Sequence, residues 1–207
     1  MSTVILASGE YPTHPVPLRM LAEAERVICC DGAANTLCAS GRVPDFIIGD
    51  LDSLSPELRK RHASRVVHEP SQETNDLSKA LHFCIRHKWR DLVILGAGGG
   101  REDHLLGNIS LLADFAAEAK AVMATNHGFM RAYHLSPARL KSKPGRQISI
   151  FACDTETRVS GTGFKYPLKN LRLRRWWTAT LNEAANHAPV IRFTNGPVIV
   201  WQEWEKS

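Results

Sequence analysis

The segment DFIIGDLDS, residues 45–53, is the most informative about the fold class. Its first part is a continuous apolar run, which is typical of a strand buried on both faces of a parallel sheet. Asp50 and Asp52 follow directly, on a turn flanked by Gly49 and Ser53. Ligands of open parallel sheets bind outside the carboxyl ends of the strands. The segment therefore predicts a buried strand and, at its end, a site where two carboxylates can reach one ion.

Further apolar runs lie on both sides of this segment. They are TVILAS (3–8), RVICC (26–30), RVVHE (65–69), DLVILGA (91–97) and AVMAT (121–125). Helical patterns separate them, with apolar residues at helical spacing over 75–88 and a second helix expected over 102–120. Ser55 followed by Pro56 predicts a further helix start. This alternation predicts an α/β domain over residues 1–126, with a mainly parallel sheet in Rossmann-like layers.

The pattern changes over residues 127–207. Short alternating segments such as RQISIFAC (146–153) and TRVSGTG (157–163) are separated by turn residues, which predicts an all-β, antiparallel domain. Asn195-Gly196 lies between two apolar runs and predicts a hairpin turn, although the proline that follows alters the loop geometry. Two adjacent tryptophans, Trp176 and Trp177, are expected in the core or an interface of this domain.

Composition narrows the class of protein. The 207 residues include 26 Lys and Arg against 21 Asp and Glu, a net charge of +5 that suits an anionic ligand without requiring one. No stretch approaches the roughly 20 apolar residues of a membrane helix. The N-terminal segment has no basic region and carries Glu10, so it does not resemble a signal peptide. Five cysteines form no C-x-x-C pair. We expect a cytoplasmic protein without a membrane segment or structural zinc.

Aspartates follow the predicted strands one after another. They are Asp31, Asp50, Asp52, Asp76 and Asp103. A helix cap or a turn residue is the alternative explanation of any one of them, and it is equally good for Asp76 or Asp103 taken alone. Together at one sheet edge they form a negative cluster that needs a cation, and all-oxygen ligands favour Mg²⁺ or Mn²⁺ over zinc.

A glycine-rich segment, GAGGGRED over 96–103, connects a predicted strand to a helix. The backbone N–H groups of residues such as Gly98 and Gly99 can face phosphate oxygens, and Arg101 adds a charged donor. The segment has neither the dinucleotide fingerprint nor the Gly-Lys-Ser/Thr of a Walker A loop. A turn that uses glycine only for its backbone freedom is the alternative. Beside the aspartates, phosphate binding is the better interpretation.

These motifs, taken in order, resemble the thiamine pyrophosphokinase family. The matching strings are DGAAN (31–35), PDFIIGDLDS (44–53), QETNDLSKAL (72–81), GAGGGREDHLLGN (96–108) and, more loosely, GFKYPL (163–168) and LNEA (181–184). The resemblance implies transfer of the pyrophosphoryl group of ATP to the hydroxyl of thiamine, with Mg²⁺, in a homodimer. It also implies an ATP- and Mg-binding catalytic domain over 1–126, followed by a β-sandwich over 127–207 that binds thiamine and forms the dimer.

The resemblance also implies roles for individual residues. The acidic residues hold the metal–nucleotide complex and position the thiamine hydroxyl, with Asp50, Asp52 and Asp76 as metal ligands and Asp103 as a further catalytic residue. Binding positions match, in chain order, Asp31, Asn35, Gln72, Gly98, Gly99, Arg101 and Asn108, and Asn182 matches a position at the thiamine site of the partner subunit. The chain departs from the family pattern at Ala33, at Asn75, where threonine is usual, and at Leu181, where serine is usual.

Chemical reasoning leaves three questions open. Either Asp76 or Asp103 can accept the hydroxyl proton, and metal activation can make a dedicated base unnecessary. A glycosyl- or nucleotidyl-transferase with an Asp-x-Asp metal site is an alternative function. A non-catalytic nucleotide- or nucleic-acid-binding protein is another, suggested by an Arg-rich run around Arg172. Because an acidic crevice repels a polyanion, we expect no nucleic-acid partner.

Overall fold

The computed structural model describes residues 2–205, and the chain divides into two compact units. Unit 1 comprises the residues up to 111 together with 118–126, and unit 2 comprises 112–117 together with the residues from 127 onward. Within the described part of the chain, none of the helices has the length and apolar character needed to span a bilayer.

Unit 1 contains a parallel sheet, as its apolar runs predict. Its strands are β1 (Thr3–Leu6), β2 (Arg26–Cys30), β3 (Phe46–Gly49), β4 (Val66–His68), β5 (Asp91–Leu95) and β6 (Lys120–Ala124). Their spatial order is β6-β5-β1-β2-β3-β4, and each strand runs parallel to its neighbours in this order. β1 lies between β2 and β5, so that Ile5 pairs with both Ile28 and Ile94, and all three side chains are fully buried. Burial on both faces explains why these strands lack alternation.

Helices connect the strands of unit 1. They are α1 (Pro15–Ala22), α2 (Ala33–Ala39), α3 (Pro56–Arg61), α4 (Asp76–Arg86) and α5 (Glu102–Asp114), with a 3₁₀ turn at Ala63–Arg65. The predicted start of α3 is confirmed, because the Ser55 hydroxyl accepts a hydrogen bond from the Leu58 N–H. The prediction that α5 extends to about residue 120 is wrong. The chain turns after Asp114, and the Lys120 N–H then bonds to the Arg90 carbonyl oxygen, which aligns β6 with β5.

Unit 2 consists of two antiparallel sheets. Its strands are β7 (Gly128–Tyr133), β8 (Ala138–Arg139), β9 (Gln147–Ala152), β10 (Arg158–Thr162), β11 (Leu168–Arg172), β12 (Ala179–Glu183), β13 (Val190–Phe193) and β14 (Val198–Glu203). One sheet has the order β12-β9-β14-β7 and the other β11-β10-β13-β8. Their buried side chains form one cluster, with Leu140, Val159 and Val198 fully enclosed. The α/β and antiparallel classes predicted for the two parts of the chain are therefore confirmed.

Two details of unit 2 differ from the sequence predictions. The Asn195-Gly196 turn does not close a hairpin, because β13 pairs with β10 and β8, whereas β14 pairs with β7 and β9. The turn instead carries the chain from one sheet to the other. Trp176 and Trp177 are 50% and 68% exposed, so they are not part of the core of unit 2.

Candidate active site

A cavity of about 550 Å³ opens where the strands of unit 1 end. The loops that follow β1, β2, β3, β4 and β5 all contribute to its lining, together with the first turns of α4 and α5. This is the edge at which open parallel sheets bind ligands. The sequence places its aspartates after these strands, so the cavity lies where the motifs predict a site.

Three carboxylates converge in this cavity. Asp31, Asp50 and Asp76 each offer an oxygen, and these oxygens lie within 4.8 Å of one another. We call these residues the three-carboxylate group. Gly49 permits the approach, because a Cβ atom there would lie 2.8 Å from the Cβ of Asp31 and 3.2 Å from Oδ1 of Asp76. The glycine at the end of β3 is therefore required for the geometry of the site.

Asp31 is the most constrained member of the group. Its backbone lies in the left-handed region, with φ of 40°, and its side chain accepts a hydrogen bond from the Ser53 N–H at 3.0 Å. The residue is 2% exposed, and Oδ1 has no hydrogen-bond partner among the described residues. Burial raises the pKa of this carboxyl to about 6, and the nearby carboxylates of Asp52 and Asp76 add to the shift.

The donor set of the three-carboxylate group fits Mg²⁺. All its ligand atoms are carboxylate oxygens, which hard divalent cations prefer. A buried carboxylate oxygen without a partner is costly, and a bound cation satisfies it. The group could therefore hold the ion that the sequence predicts, with Asp31 as a ligand in addition to Asp50 and Asp76.

Asp52 lies in the same cavity but outside the three-carboxylate group. Its Oδ1 accepts a hydrogen bond from the Ser53 hydroxyl at 2.7 Å. Asp50, two residues earlier, accepts a bond from Nε2 of Gln72 at 2.7 Å, and this bond holds the pKa of the Asp50 carboxyl below its usual value. Leu51 between them has φ of 68°, a strained conformation that directs the two aspartates differently. The metal role of Asp52 stays a prediction.

The glycine loop approaches the loop after β1 closely. The Gly9 and Glu10 N–H groups bond to the carbonyl oxygens of Gly96 and Gly98, both at 2.7 Å. Gly98 lines the cavity, whereas Gly99 does not and has φ of 75°, which an L side chain rarely adopts.

Arg101 and Asp103 form a pair on the surface of this loop. Nε and Nη2 of Arg101 donate to the two carboxylate oxygens at 3.1 and 2.6 Å. The side chains are 75% and 61% exposed, and the bonds from Arg101 lower the pKa of the Asp103 carboxyl. Arg101 lines the cavity, but Asp103 is not among its lining residues.

Two of the predicted asparagines connect loops. Nδ2 and Oδ1 of Asn35 bond to the Ser53 carbonyl oxygen and the Ser55 N–H, which joins the start of α2 to the loop after β3. Asn108 lines the cavity, donates to the Ala97 carbonyl oxygen at 3.0 Å and accepts from Asn75 at 3.2 Å. Both residues therefore hold the walls of the site in position.

Asn182 lies in unit 2 and is 4% exposed. Its amide bonds to both the N–H and the carbonyl oxygen of Tyr166, at 3.1 and 2.9 Å, and it also accepts from the Glu183 N–H. These contacts fix the backbone at Tyr166, whose side chain is 55% exposed.

Sequence reasoning missed one charged residue of the cavity. Lys79 lies on the first turn of α4, lines the cavity, and donates from Nζ to Oδ1 of Asp76 at 2.9 Å. The signal was its spacing, since a lysine three residues after an aspartate lies on the same helix face. Residues on the loop after β1 and on α5, Ser8 and His104, also line the cavity and were not predicted.

An acidic cavity at the carboxyl edge of a parallel sheet, with an arginine on an adjacent glycine loop, is typical of α/β enzymes that transfer phosphoryl groups from nucleotides. The chain belongs to the thiamine pyrophosphokinase family. Residues 18–124 match the family model described as thiamin pyrophosphokinase, catalytic domain, and residues 132–201 match the substrate-binding domain.

Individual relatives match most of the chain. The thiamine pyrophosphokinase of Bacillus subtilis is 28% identical over 213 residues, which cover 97% of this chain and 98% of the relative. Thiamine pyrophosphokinase 2 of Oryza sativa subsp. japonica is 32% identical over 186 residues, or 75% of this chain and 69% of the relative.

Solved structures share the fold. The crystal structure of the Bacillus subtilis enzyme has a TM-score of 0.82 at 24% identity and covers 100% of both chains. Thiamin pyrophosphokinase from Candida albicans has a TM-score of 0.83 at 17% identity, covering 99% of this chain and 90% of its own.

Proposed function

We propose that the protein is a thiamine pyrophosphokinase, which transfers the pyrophosphoryl group of ATP to the hydroxyl of thiamine and releases AMP. The observation that carries the proposal is the three-carboxylate group beside the glycine loop, in a chain that matches both domains of the family. In the transfer, the thiamine hydroxyl oxygen bonds to the β-phosphorus. The bond from that phosphorus to the α–β bridging oxygen breaks, and AMP leaves with that oxygen.

Mg²⁺ is the proposed cofactor, held by Asp50 and Asp76 together with Asp31, and with Asp52 as the remaining predicted ligand. When bound, it neutralises charge on the phosphate oxygens. The unpartnered Oδ1 of Asp31 supports this assignment, because it is buried and has no competing donor among the described residues.

The remaining roles concern phosphate binding and proton transfer. Arg101 and the Gly98 N–H, which line the cavity, would bind phosphate oxygens, since guanidinium and backbone N–H groups are suited to anions. The contact from Gly99, which does not line the cavity, stays a prediction from the sequence. Gln72 would orient Asp50, to which it already donates. The candidate bases differ in environment, because Asp76 faces the cavity and Lys79, whereas Asp103 is exposed and bonded to Arg101.

Unit 2 is the proposed thiamine-binding and dimer-forming part. Trp176, Trp177 and Leu181 are large apolar residues that lie close together in the sequence and are at least half exposed, which supports this proposal because contiguous exposed apolar surface marks interaction sites. Asn182 would act on thiamine through the backbone that it fixes at Tyr166. The proposed compartment is the cytoplasm, because all five cysteines are free thiols, as is usual in reducing surroundings.

Product analysis tests the proposed function. The purified chain is incubated with ATP, Mg²⁺ and thiamine, and AMP is separated from ADP by chromatography. We expect AMP to form in equal amounts with thiamine diphosphate, and only when the divalent ion is present. ADP in place of AMP would mean transfer of a single phosphoryl group and would contradict the proposal, as would AMP formed without thiamine diphosphate.

A further inference from the structure

Lys79 is a cation buried inside an acidic cavity. Its side chain is 6% exposed, and its Nζ donates to Oδ1 of Asp76 at 2.9 Å. Lysine is almost never fully buried unless it is paired, because removing an ammonium group from water is costly. The interaction that offsets this cost comes from the carboxylates of the cavity.

The position of Lys79 in its helix is a second, independent indication that the carboxylates account for this lysine. α4 begins at Asp76, where the Asn75 side chain accepts from the Ser78 N–H, so Lys79 lies in the first turn. The positive end of the helix dipole disfavours a cation there. Neither solvation nor helix stability therefore explains a lysine at this position. The attraction between its ammonium group and the carboxylates of the cavity does explain it.

We infer that Lys79 is a positioning residue. Before a divalent cation binds, the Lys79 ammonium group supplies positive charge to the three-carboxylate group in place of that cation. It holds Asp76 beside Asp31 and Asp50 before the ion arrives. The inference rests on the proposed metal site. The positive charge of Lys79 also reduces the net charge of the three-carboxylate group from −3 to −2, so a divalent ion without a nucleotide is bound less tightly. The phosphate groups of a nucleotide that binds with the ion add negative charge near Lys79. The site is therefore suited to a divalent ion that arrives with a nucleotide.

The test compares neutral and charged variants of the full chain with Mg²⁺ alone. Thermal unfolding is followed by circular dichroism in chelator and at increasing Mg²⁺, and the Kd for Mg²⁺ is measured by calorimetry. The variants are Lys79→Met and Lys79→Gln, with Lys79→Arg to retain the charge. Lys60→Met removes an exposed lysine and is the matched control.

We expect Lys79→Met to lower Tm in chelator by roughly 5–15 °C, because the carboxylates lose their counter-charge. Added Mg²⁺ should restore most of this loss, and the Kd for Mg²⁺ should fall about tenfold. Lys79→Gln should behave in the same way. Lys79→Arg and Lys60→Met should follow the unmodified protein. A purely structural lysine would lower Tm without changing the response to Mg²⁺.

Two outcomes would overturn the inference while leaving the metal site in place. The first is an equal response of Tm and Kd to Mg²⁺ in Lys79→Met and the unmodified protein. The second is failure of both neutral variants to fold at any Mg²⁺ concentration, since the ion should replace the missing charge. Absence of a response to Mg²⁺ in every protein, even with ATP present, would instead remove the proposed metal site and the inference with it.

Discussion

Two acidic regions of unit 1 use the same residue type in opposite ways. In the three-carboxylate group, the carboxylates converge in a cavity, and Asp31 has an oxygen without a partner. On the glycine loop, Asp103 is exposed and both of its oxygens are occupied by Arg101. In the first arrangement, Oδ1 of Asp31 stays without a partner until a cation binds, although Lys79 and Gln72 already donate to Asp76 and Asp50. In the second, Arg101 satisfies both oxygens of Asp103.

This contrast indicates which region is prepared for a ligand and which must rearrange. A buried unsatisfied carboxylate stores a free-energy cost that a bound ion removes. An exposed ion pair contributes little to stability and exchanges partners readily. Arg101 can therefore leave Asp103 for a phosphate at small cost, while Asp31, Asp50 and Asp76 stay in place.

The largest expected effect comes from breaking the three-carboxylate group. Replacing Asp50 by Asn removes a charge from the group and should lower kcat about 10³-fold, since loss of one preorganised electrostatic contact has effects of this size. Steady-state production of AMP measures it. Thermal unfolding should show an intact fold, because Asp50 bonds to Gln72 and to the Asp52 N–H rather than to the core.

A matched control is Asp91→Asn at the opposite end of the same sheet. Asp91 is exposed and begins β5, far along the strand from its carboxyl end. Its variant should retain kcat within about twofold, since surface substitutions away from special features have small effects. An equal loss of kcat in the two variants would mean that the overall negative charge of the protein, rather than the three-carboxylate group, determines turnover.

A smaller effect is expected from Gly49→Ala, which tests how closely the carboxylates approach. The added Cβ would meet the Cβ of Asp31 at 2.8 Å, so Asp31 or β3 must move. Overpacking of this kind costs about 1–3 kcal/mol of unfolding free energy, measured by urea denaturation. Gly100→Ala is the control, because a Cβ there meets nothing within 4 Å. If Gly49→Ala binds Mg²⁺ and unfolds like the unmodified protein, the close approach is not required.

The strands and helices of unit 1 were predictable because their signals are local. Continuous apolar runs gave the positions of β1 to β6, and the apolar spacing that predicts a helix over 75–88 corresponds to α4. The role of the Asn195-Gly196 turn was not predictable from its local sequence, which favours a hairpin. Whether β13 and β14 pair depends on β10 and β9, which compete for their edges and lie far away in the sequence.

The site shows the same division between local and distant information. The order of strands and aspartates indicates which sheet edge carries the cavity. It does not indicate that Asp31 joins Asp50 and Asp76 while Asp52 bonds to Ser53, because that depends on the left-handed backbone at Asp31 and Leu51. The spacing of Lys79 after Asp76 indicates that both lie on one helix face, but it does not indicate that the lysine is buried against carboxylates.

The smallest effect is expected at the glycine loop, for the pair of Arg101 and Asp103. If Asp103 only holds Arg101 between turnovers, Asp103→Asn should change kcat by less than about threefold, because an exposed pair contributes little. Arg101→Met should raise KM for ATP by about tenfold, since it removes a charged phosphate donor. The double variant should resemble Arg101→Met alone. A fall in kcat for Asp103→Asn as large as that for Asp50→Asn, with KM for ATP unchanged, would instead identify Asp103 as the base and require the loop to carry it into the cavity.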